Sequence, residues 1–368
     1  MKKSKKLLSF FIIAVLIARF CGNFTTRANY ISSFINNIEN KKIAHELSVK
    51  DANLLCERLY ECTNLNKKHN ALVSVKGNAL IIGDLHGEID STDSAIFQAD
   101  KYLSENNQNY AVFLGDYFNN KKDYEKDNKI YNNDVECLIK LLDLKIKHKD
   151  RVILLSGNHE SAYIDSFKKL KYSGHFTSNN LTKSKTVLHS APIIDKVIEQ
   201  MKKINPNSKA TTIKDFFSTL PIAAEIENSK GEKILCLHGF IPKGSNYDWV
   251  NVLRNNKSNE ININIKAPLL CNLYTTKSTD TSKNCHSNKV DCICSNTLKK
   301  FITKNGYICL VRGHSHNSFE NKNIFGDGSC YSIYSAVNDY YNLKNNSNSS
   351  GILKFNKYGI QTYTEYKK

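Results

Sequence analysis

The chain has 368 residues, 40% of them hydrophobic, so it can bury a real core as one large domain or two small ones. Its formal charge is +17, but the lysines are scattered through an Asn-rich chain. There is no Arg-rich stripe interleaved with aromatics, which argues against a nucleic-acid binder and leaves a solvated basic surface that helps attract phosphate.

The N-terminus opens with Lys2, Lys3, Lys5 and Lys6, then an apolar stretch from Leu7 to Ala18, then Arg19. A basic segment followed by an apolar one has the shape of a secretory signal. The stretch is short for a bilayer span, which needs about 20 apolar residues. Thr26-Arg27-Ala28 offers a small-residue cleavage pattern. Residues 1–28 are therefore expected to be a signal peptide or membrane anchor. That places the protein in the secretory pathway or cell envelope, secreted or attached to a membrane through its N-terminus. Residues 29–70 are expected to form a helical leader, with a mixed apolar and charged pattern from Val49 to Leu65.

From residue 71 to 160 the pattern alternates strand, loop and helix. Apolar spacing over Ile96 to Leu103 and Ile130 to Ile146 predicts helices between three strand-like runs, a βαβαβ order. Residues 161–215 read as helical and lysine-rich, and 216–242 return to the core. Residues 243–306 read as irregular and rich in Asn, Ser and Thr. Strand-like runs follow at Cys330 to Val337, Gly351 to Phe355 and Ile360 to Tyr366. With no internal repeat or flexible linker, residues 71–368 form one expected catalytic domain. Of 11 cysteines, Cys271, Cys285, Cys292 and Cys294 lie in a polar stretch and are disulfide candidates if the chain is exported. Zinc is the rival reading there, but Cys292-Ile293-Cys294 lacks the usual ligand gap. Cys236 and Cys309 sit within strand runs and read as buried thiols.

Five short polar motifs each follow a buried-strand pattern. Ala79-Leu80-Ile81-Ile82 runs into Gly83-Asp84-Leu85-His86-Gly87, and Ala111-Val112-Phe113-Leu114 into Gly115-Asp116. Val152-Ile153-Leu154-Leu155 runs into Ser156-Gly157-Asn158-His159-Glu160, Ile234-Leu235-Cys236-Leu237 into His238-Gly239, and Tyr307 to Val311 into Arg312-Gly313-His314-Ser315-His316. Polar groups just past strand ends gather at one rim of a sheet. Each motif alone is weak, since a single Asp-x-His is common. Five in order predict one cluster of Asp84, His86, Asp116, Asn158, His238 and His314. This carboxylate, amide and imidazole set suits two divalent or trivalent cations such as Mn, Fe or Zn. The expected division gives Asp84, His86 and Asp116 to one cation and Asp116, Asn158, His238 and His314 to the other, with Asp116 bridging. Two metals ~3.5–4 Å apart can hold a hydroxide and clamp a phosphate. His159, beside Asn158, can then protonate the leaving oxygen.

These residues resemble the calcineurin-like metallophosphoesterase superfamily. The match extends to the PPP-type serine/threonine protein phosphatases through Phe217 to Ala224, Leu269-Leu270-Cys271-Asn272-Leu273, Leu310 to His314, and Tyr334-Ser335-Ala336-Val337-Asn338. It covers roughly residues 50–368. The resemblance implies an α+β, four-layer fold of α/β type: a central β-sandwich flanked by helices, with the metal site at the strand-end loops. It also implies that the six matching positions bind metal and that His159 is the general acid.

Departures from that pattern bear on the phosphate pocket. The family's Asp-Arg-Gly after Gly-Asp is replaced by Asn119-Asn120-Lys121. Asn119 can hydrogen-bond the acid histidine without charging it, and Asn120 cannot supply a bidentate cation. Ser156 stands where the family has an arginine before Gly-Asn-His-Glu. Arg254 aligns with another phosphate-binding arginine, and Lys121 or Lys122 is a substitute anion contact. His316 completes a Gly-His-x-His pattern of the wider superfamily, as either a seventh ligand or a solvated loop residue. Three readings follow: a phosphomonoesterase acting on phosphoprotein, a hydrolase of a nucleotide or other small phosphoester, and a secreted pseudophosphatase that binds a partner without turnover.

Overall fold

The protein is described here from a computed structural model covering residues 49–117, 130–164, 211–244, 248–275, 279–280, 291–315, 322–336 and 349–366. The expected leader sequence 1–28, Asn119, Asn120, Lys121, Lys122, Cys285 and His316 lie outside the described residues, as does most of the segment read as helical after residue 164. Among the described residues no helix is long and apolar enough to cross a membrane.

Chain order starts with helix α1 (Val49–Asn66), strands β1 (Leu72–Lys76) and β2 (Asn78–Ile82), and helix α2 (Ile89–Glu105). Then come β3 (Asn109–Phe113), α3 (Ile130–His148), β4 (Val152–Leu154), α4 (Asn158–Tyr163) and α5 (Ile213–Ser218). Strands β5 (Ala223–Glu227) and β6 (Lys233–Leu237) precede helices α6 (Trp249–Asn255) and α7 (Ile263–Cys271). Strands β7 (Leu273–Thr275) and β8 (Cys292–Cys294) lead to α8 (Ser295–Asn305). The last strands are β9 (Cys309–Arg312), β10 (Lys322–Asn323), β11 (Cys330–Ser332), β12 (Ser349–Asn356) and β13 (Gly359–Tyr366).

Two sheets form the centre. One has order β1-β5-β6-β9-β11-β10 and the other β13-β12-β2-β3-β4. Strands β2, β3 and β4 are parallel, as the βαβαβ pattern predicts, and β12 closes antiparallel on β2. Alternation along each strand divides the core. Ala79, Ile81, Val112, Leu114 and Ile153 face Ala224, Ile226, Ile234, Cys236 and Val311 between the sheets. Their neighbours Leu80, Ile82, Ala111, Phe113 and Leu154 face outward and pack beneath α1, α2, α3 and α5. On the other side Leu72, Ala223, Leu235, Leu237 and Leu310 pack against α6, α7 and α8. The result is helix, sheet, sheet, helix, the expected four layers. Strands with both faces covered read as near-continuous apolar runs, which is why they were visible in the sequence.

Two expectations are corrected. Residues 243–306 are not irregular throughout: α6, α7 and α8 lie within them. Each presents a short apolar face, such as Leu298, Phe301 and Ile302 of α8, and Trp249 of α6 stacks on Phe301 at 5.2 Å between ring centroids. Such short helices owe their stability to packing on the sheet, which local composition does not reveal. The second correction concerns cysteines. Cys271 and Cys294 are free buried thiols, as are Cys236 and Cys309, while Cys292 is disulfide-bonded.

The sheets approach closely at one end. Asp84 bridges Tyr334, just past β2 and β11 respectively, and the Ser335 N–H donates to the Asp84 carbonyl at 3.2 Å. A methyl on Gly83 would overlap the Ile333 carbonyl. Gly83→Ala should therefore cost about 1–3 kcal/mol or more, because backbone rather than a movable side chain is the obstacle. Chemical denaturation measures this, and a variant as stable as the parent would refute the packing argument.

Lys266 of α7 is buried, and its Nζ has no hydrogen-bond or ion-pair partner among the described residues. Burial lowers its pKa from 10.5 to about 8. The unfolded chain then binds more protons between those values, so stability rises with pH across that window. Lys266→Met should stabilise the protein by on the order of 2–3 kcal/mol at neutral pH. The gain should shrink between pH 8 and 10.5, as unfolding measured at both ends of the window would show.

Candidate metal centre

The site is built where strands end. Asp84 and His86 follow β2, Asp116 follows β3, Asn158 and His159 begin α4 after β4, His238 follows β6, and His314 follows β9. The loops are tied by backbone bonds: Leu85 and His86 N–H donate to the Asp116 carbonyl at 3.1 and 2.9 Å, and Gly87 N–H to Tyr117 at 2.8 Å. Gly313 N–H donates to the His238 carbonyl at 3.0 Å. His86, Asp116 and His314 all have left-handed backbones, with φ of 48°, 56° and 65°. Each costs roughly 1–2 kcal/mol for a residue with a Cβ. Such strain clusters at functional sites.

Asp116 is the shared centre. Its carboxylate and His86 and His159 can place ligand atoms within 4.8 Å of one another, and so can Asp116, His238 and His314. Asp116 Oδ2 is 3.3 Å from His238 Nε2 and 3.6 Å from His159 Nε2, while Oδ1 accepts the His159 backbone N–H at 2.9 Å. Asp84 adjoins both groups: its Oδ2 lies 3.7 Å from His86 Nε2 and its Oδ1 3.8 Å from His238 Nδ1. Both Asp84 oxygens accept the His314 N–H at 3.0 Å.

The donor set fits a cation. His238 Nδ1 lies 3.0 Å from the Leu114 carbonyl, where it donates. A neutral ring then turns the Nε2 lone pair toward Asn158 Oδ1 at 2.8 Å and Asp116 Oδ2 at 3.3 Å. Three acceptors converge there, and buried Asp116 Oδ2 has no hydrogen bond of good geometry among the described residues. Metal-ligating histidines commonly donate their second nitrogen to a carbonyl in this way. The field has the same sense. Burial opposes charge on Asp116, yet His159, His238 and His86 hold its pKa well below the usual carboxylate range. Burial likewise opposes a charged His238, yet Asp116 and Asp84 raise its pKa.

The structure thus brings together Asp84, His86, Asp116, Asn158, His159, His238 and His314. Arg254 is engaged elsewhere. Its Nη2 donates to Glu225 at 3.1 Å and its Nη1 to Asn251 at 3.2 Å. Glu225 shares the outer sheet face with Ala223 and also accepts Tyr307 Oη–H at 2.7 Å, among α6 and α8. Ser156 is buried with its Oγ 3.0 Å from Ser161 Oγ, so no cation occupies that position.

Two contributors had no role in the sequence reading. Glu160 is fully buried and accepts three backbone N–H bonds from the loops around Asp116. Burial, then Asp116, push its pKa up to about 7. Ser335 Oγ accepts Gly83 N–H at 2.9 Å and donates to the Gly351 carbonyl at 2.7 Å, pinning the Asp84 loop to β12. Both lie inside motifs, and a motif position alone does not say what its side chain holds.

The calcineurin-like phosphoesterase family pattern matches residues 77–318, more than half of the chain. The chain belongs to this family, whose members are metal-dependent phosphoester hydrolases. Among curated proteins it is 30% identical over 127 residues to the serine/threonine-protein phosphatase SIT4 of Candida albicans, covering 34% of this chain and 36% of that protein. It is 23% identical over 227 residues to BSL2, a serine/threonine-protein phosphatase of Arabidopsis thaliana, covering 58% and 19% respectively. The matches thus span about a third and a fifth of those relatives. In fold it is similar to a Saccharomyces cerevisiae protein serine/threonine phosphatase described as similar to human PP5, with TM-score 0.56, 15% identity, and 93% and 96% of the two chains covered.

If Asp116 links both halves of the centre, Asp116→Asn should reduce bound Mn²⁺ at both positions. Elemental analysis after loading and desalting measures this. Unchanged metal content would show that the cluster is held together another way.

Proposed function

We propose that the chain is a phosphomonoesterase of the serine/threonine phosphoprotein phosphatase type, working with two cations drawn from Mn, Fe or Zn. The observation that carries this reading is the convergence of two ligand groups on the single buried carboxylate of Asp116. The names of the relatives in SIT4 and BSL2 support a phosphorylated protein as substrate.

In this reading Asp84, His86 and Asp116 hold one cation, and Asp116, Asn158, His238 and His314 the other. When bound, such cations supply an activated water at neutral pH and neutralise phosphate charge. His159 donates the proton that the leaving oxygen needs, a contribution of typically 10²–10⁴-fold. Its backbone N–H on Asp116 Oδ1 fixes its position relative to the shared carboxylate. Asn119, at the place of the family's aspartate, orients this histidine without charging it. Leu114 keeps the His238 ring in the tautomer that presents Nε2 to the cation.

One observation favours a second reading, a hydrolase of a nucleotide or small phosphoester. Ser156 replaces a cation, and Arg254 is turned toward Glu225, so phosphate recognition differs from the protein-phosphatase pattern. A substrate with its own recognition groups would need fewer arginines.

Purified protein with Mn²⁺ should hydrolyse p-nitrophenyl phosphate. Asp84→Asn should remove nearly all turnover, and His159→Ala should lose roughly 10²–10⁴-fold in rate while retaining metal. A preference for dinucleotides or bis-p-nitrophenyl phosphate over phosphopeptides would replace the first reading with the second. No turnover with Mn²⁺, Fe²⁺ or Zn²⁺ would leave a binding protein.

A further inference from the structure

Glu160 sits at the second turn position of α4, two residues after Asn158, with no exposed surface. Its Oε2 accepts N–H bonds from Asp116 at 2.9 Å and Gly157 at 2.8 Å, and its Oε1 accepts from Tyr117 at 2.9 Å. All three partners are donors, so the geometry suits an ionised carboxylate that offers only lone pairs. One donor belongs to Asp116, whose backbone is left-handed at φ 56°. Another belongs to the residue that directly precedes Asn158. The carboxylate therefore joins the Asp116 loop to the Asn158 loop.

The packing leaves no alternative filler. A methyl on Gly115 would overlap Gly157 backbone, and one on Gly157 would overlap both the Asp116 carboxylate and Glu160 Oε2. The two loops meet backbone to backbone with the Glu160 carboxylate as the only side chain between their N–H groups that these bonds describe. A second anion thus lies immediately behind Asp116, on the side away from the imidazoles.

We infer that Glu160 is a positioning residue for the metal centre: it holds Asp116 and Asn158 in one geometry and, through its charge, raises the cation affinity of the pocket they share. This rests on the dinuclear reading above. Groups that support ligands in this way typically change metal affinity by about 10–100-fold when altered. The Gln side chain keeps the size of Glu160 and one accepting oxygen, but turns an NH₂ group toward an N–H donor and removes the charge. The Asp side chain keeps the charge on a shorter stem.

The test is isothermal titration of Mn²⁺ into metal-free wild type, Glu160→Gln and Glu160→Asp, with thermal unfolding of the same metal-free samples. Glu160→Gln should stay folded and bind Mn²⁺ roughly 10–100-fold more weakly. Glu160→Asp should recover part of that affinity. Wild-type affinity in Glu160→Gln would overturn the assignment and leave the dinuclear reading standing. If neither variant folds without metal, Glu160 is a structural clamp only and the assignment fails. A wild type that takes up no Mn²⁺ would instead sink the dinuclear reading itself.

Discussion

Asp116 is fully buried and carries its charge because imidazoles surround it. His159, His238 and His86 offset the cost of burial, and the backbone N–H groups of neighbouring loops fix where the carboxylate points. An isolated buried carboxylate would shed its charge by taking a proton. Positive charge at this place, whether protons on the rings or cations between them, is thus a condition of the local structure. Every other feature of the site can be read as holding that arrangement in place.

The sandwich supplies the rigidity. Parallel strands β2, β3 and β4 deliver Asp84, Asp116 and Asn158 to one rim, while β6 and β9 deliver His238 and His314 to the matching rim of the other sheet. Asp84 then accepts the His314 N–H across the gap between sheets. Left-handed backbone at His86, Asp116 and His314 is tolerated because these bonds and the glycine contacts leave no relaxed alternative. Strain of this kind persists only where the surroundings over-determine it.

Phosphate recognition departs from the resemblance at the arginines, not at the ligands. Ser156 turns to Ser161, and Arg254 joins Glu225 and Tyr307 on the outer face of the six-stranded sheet. A guanidinium in a satisfied hydrogen-bond network on another face has little freedom to reach an anion at the rim. The substrate's own chemistry therefore carries more of the recognition than in a pocket lined with arginines.

The sequence by itself determined the strands and the ligand set. Buried strands appear as unbroken apolar runs, and the polar residue after each run has one place to go, the sheet rim. It also marked α2 and α3, whose apolar spacing is regular. It did not reveal α6, α7 and α8, whose short apolar faces are stabilised only by the sheet beneath them. Nor could it show that Glu160 accepts three backbone bonds, that Ser335 pins the Asp84 loop, or that the Leu114 carbonyl selects a histidine tautomer. Those are contacts between backbone groups and side chains far apart in the chain. Spacing in a sequence encodes which residues face the same way, whereas the partners of a buried polar group exist only once the chain has closed on itself.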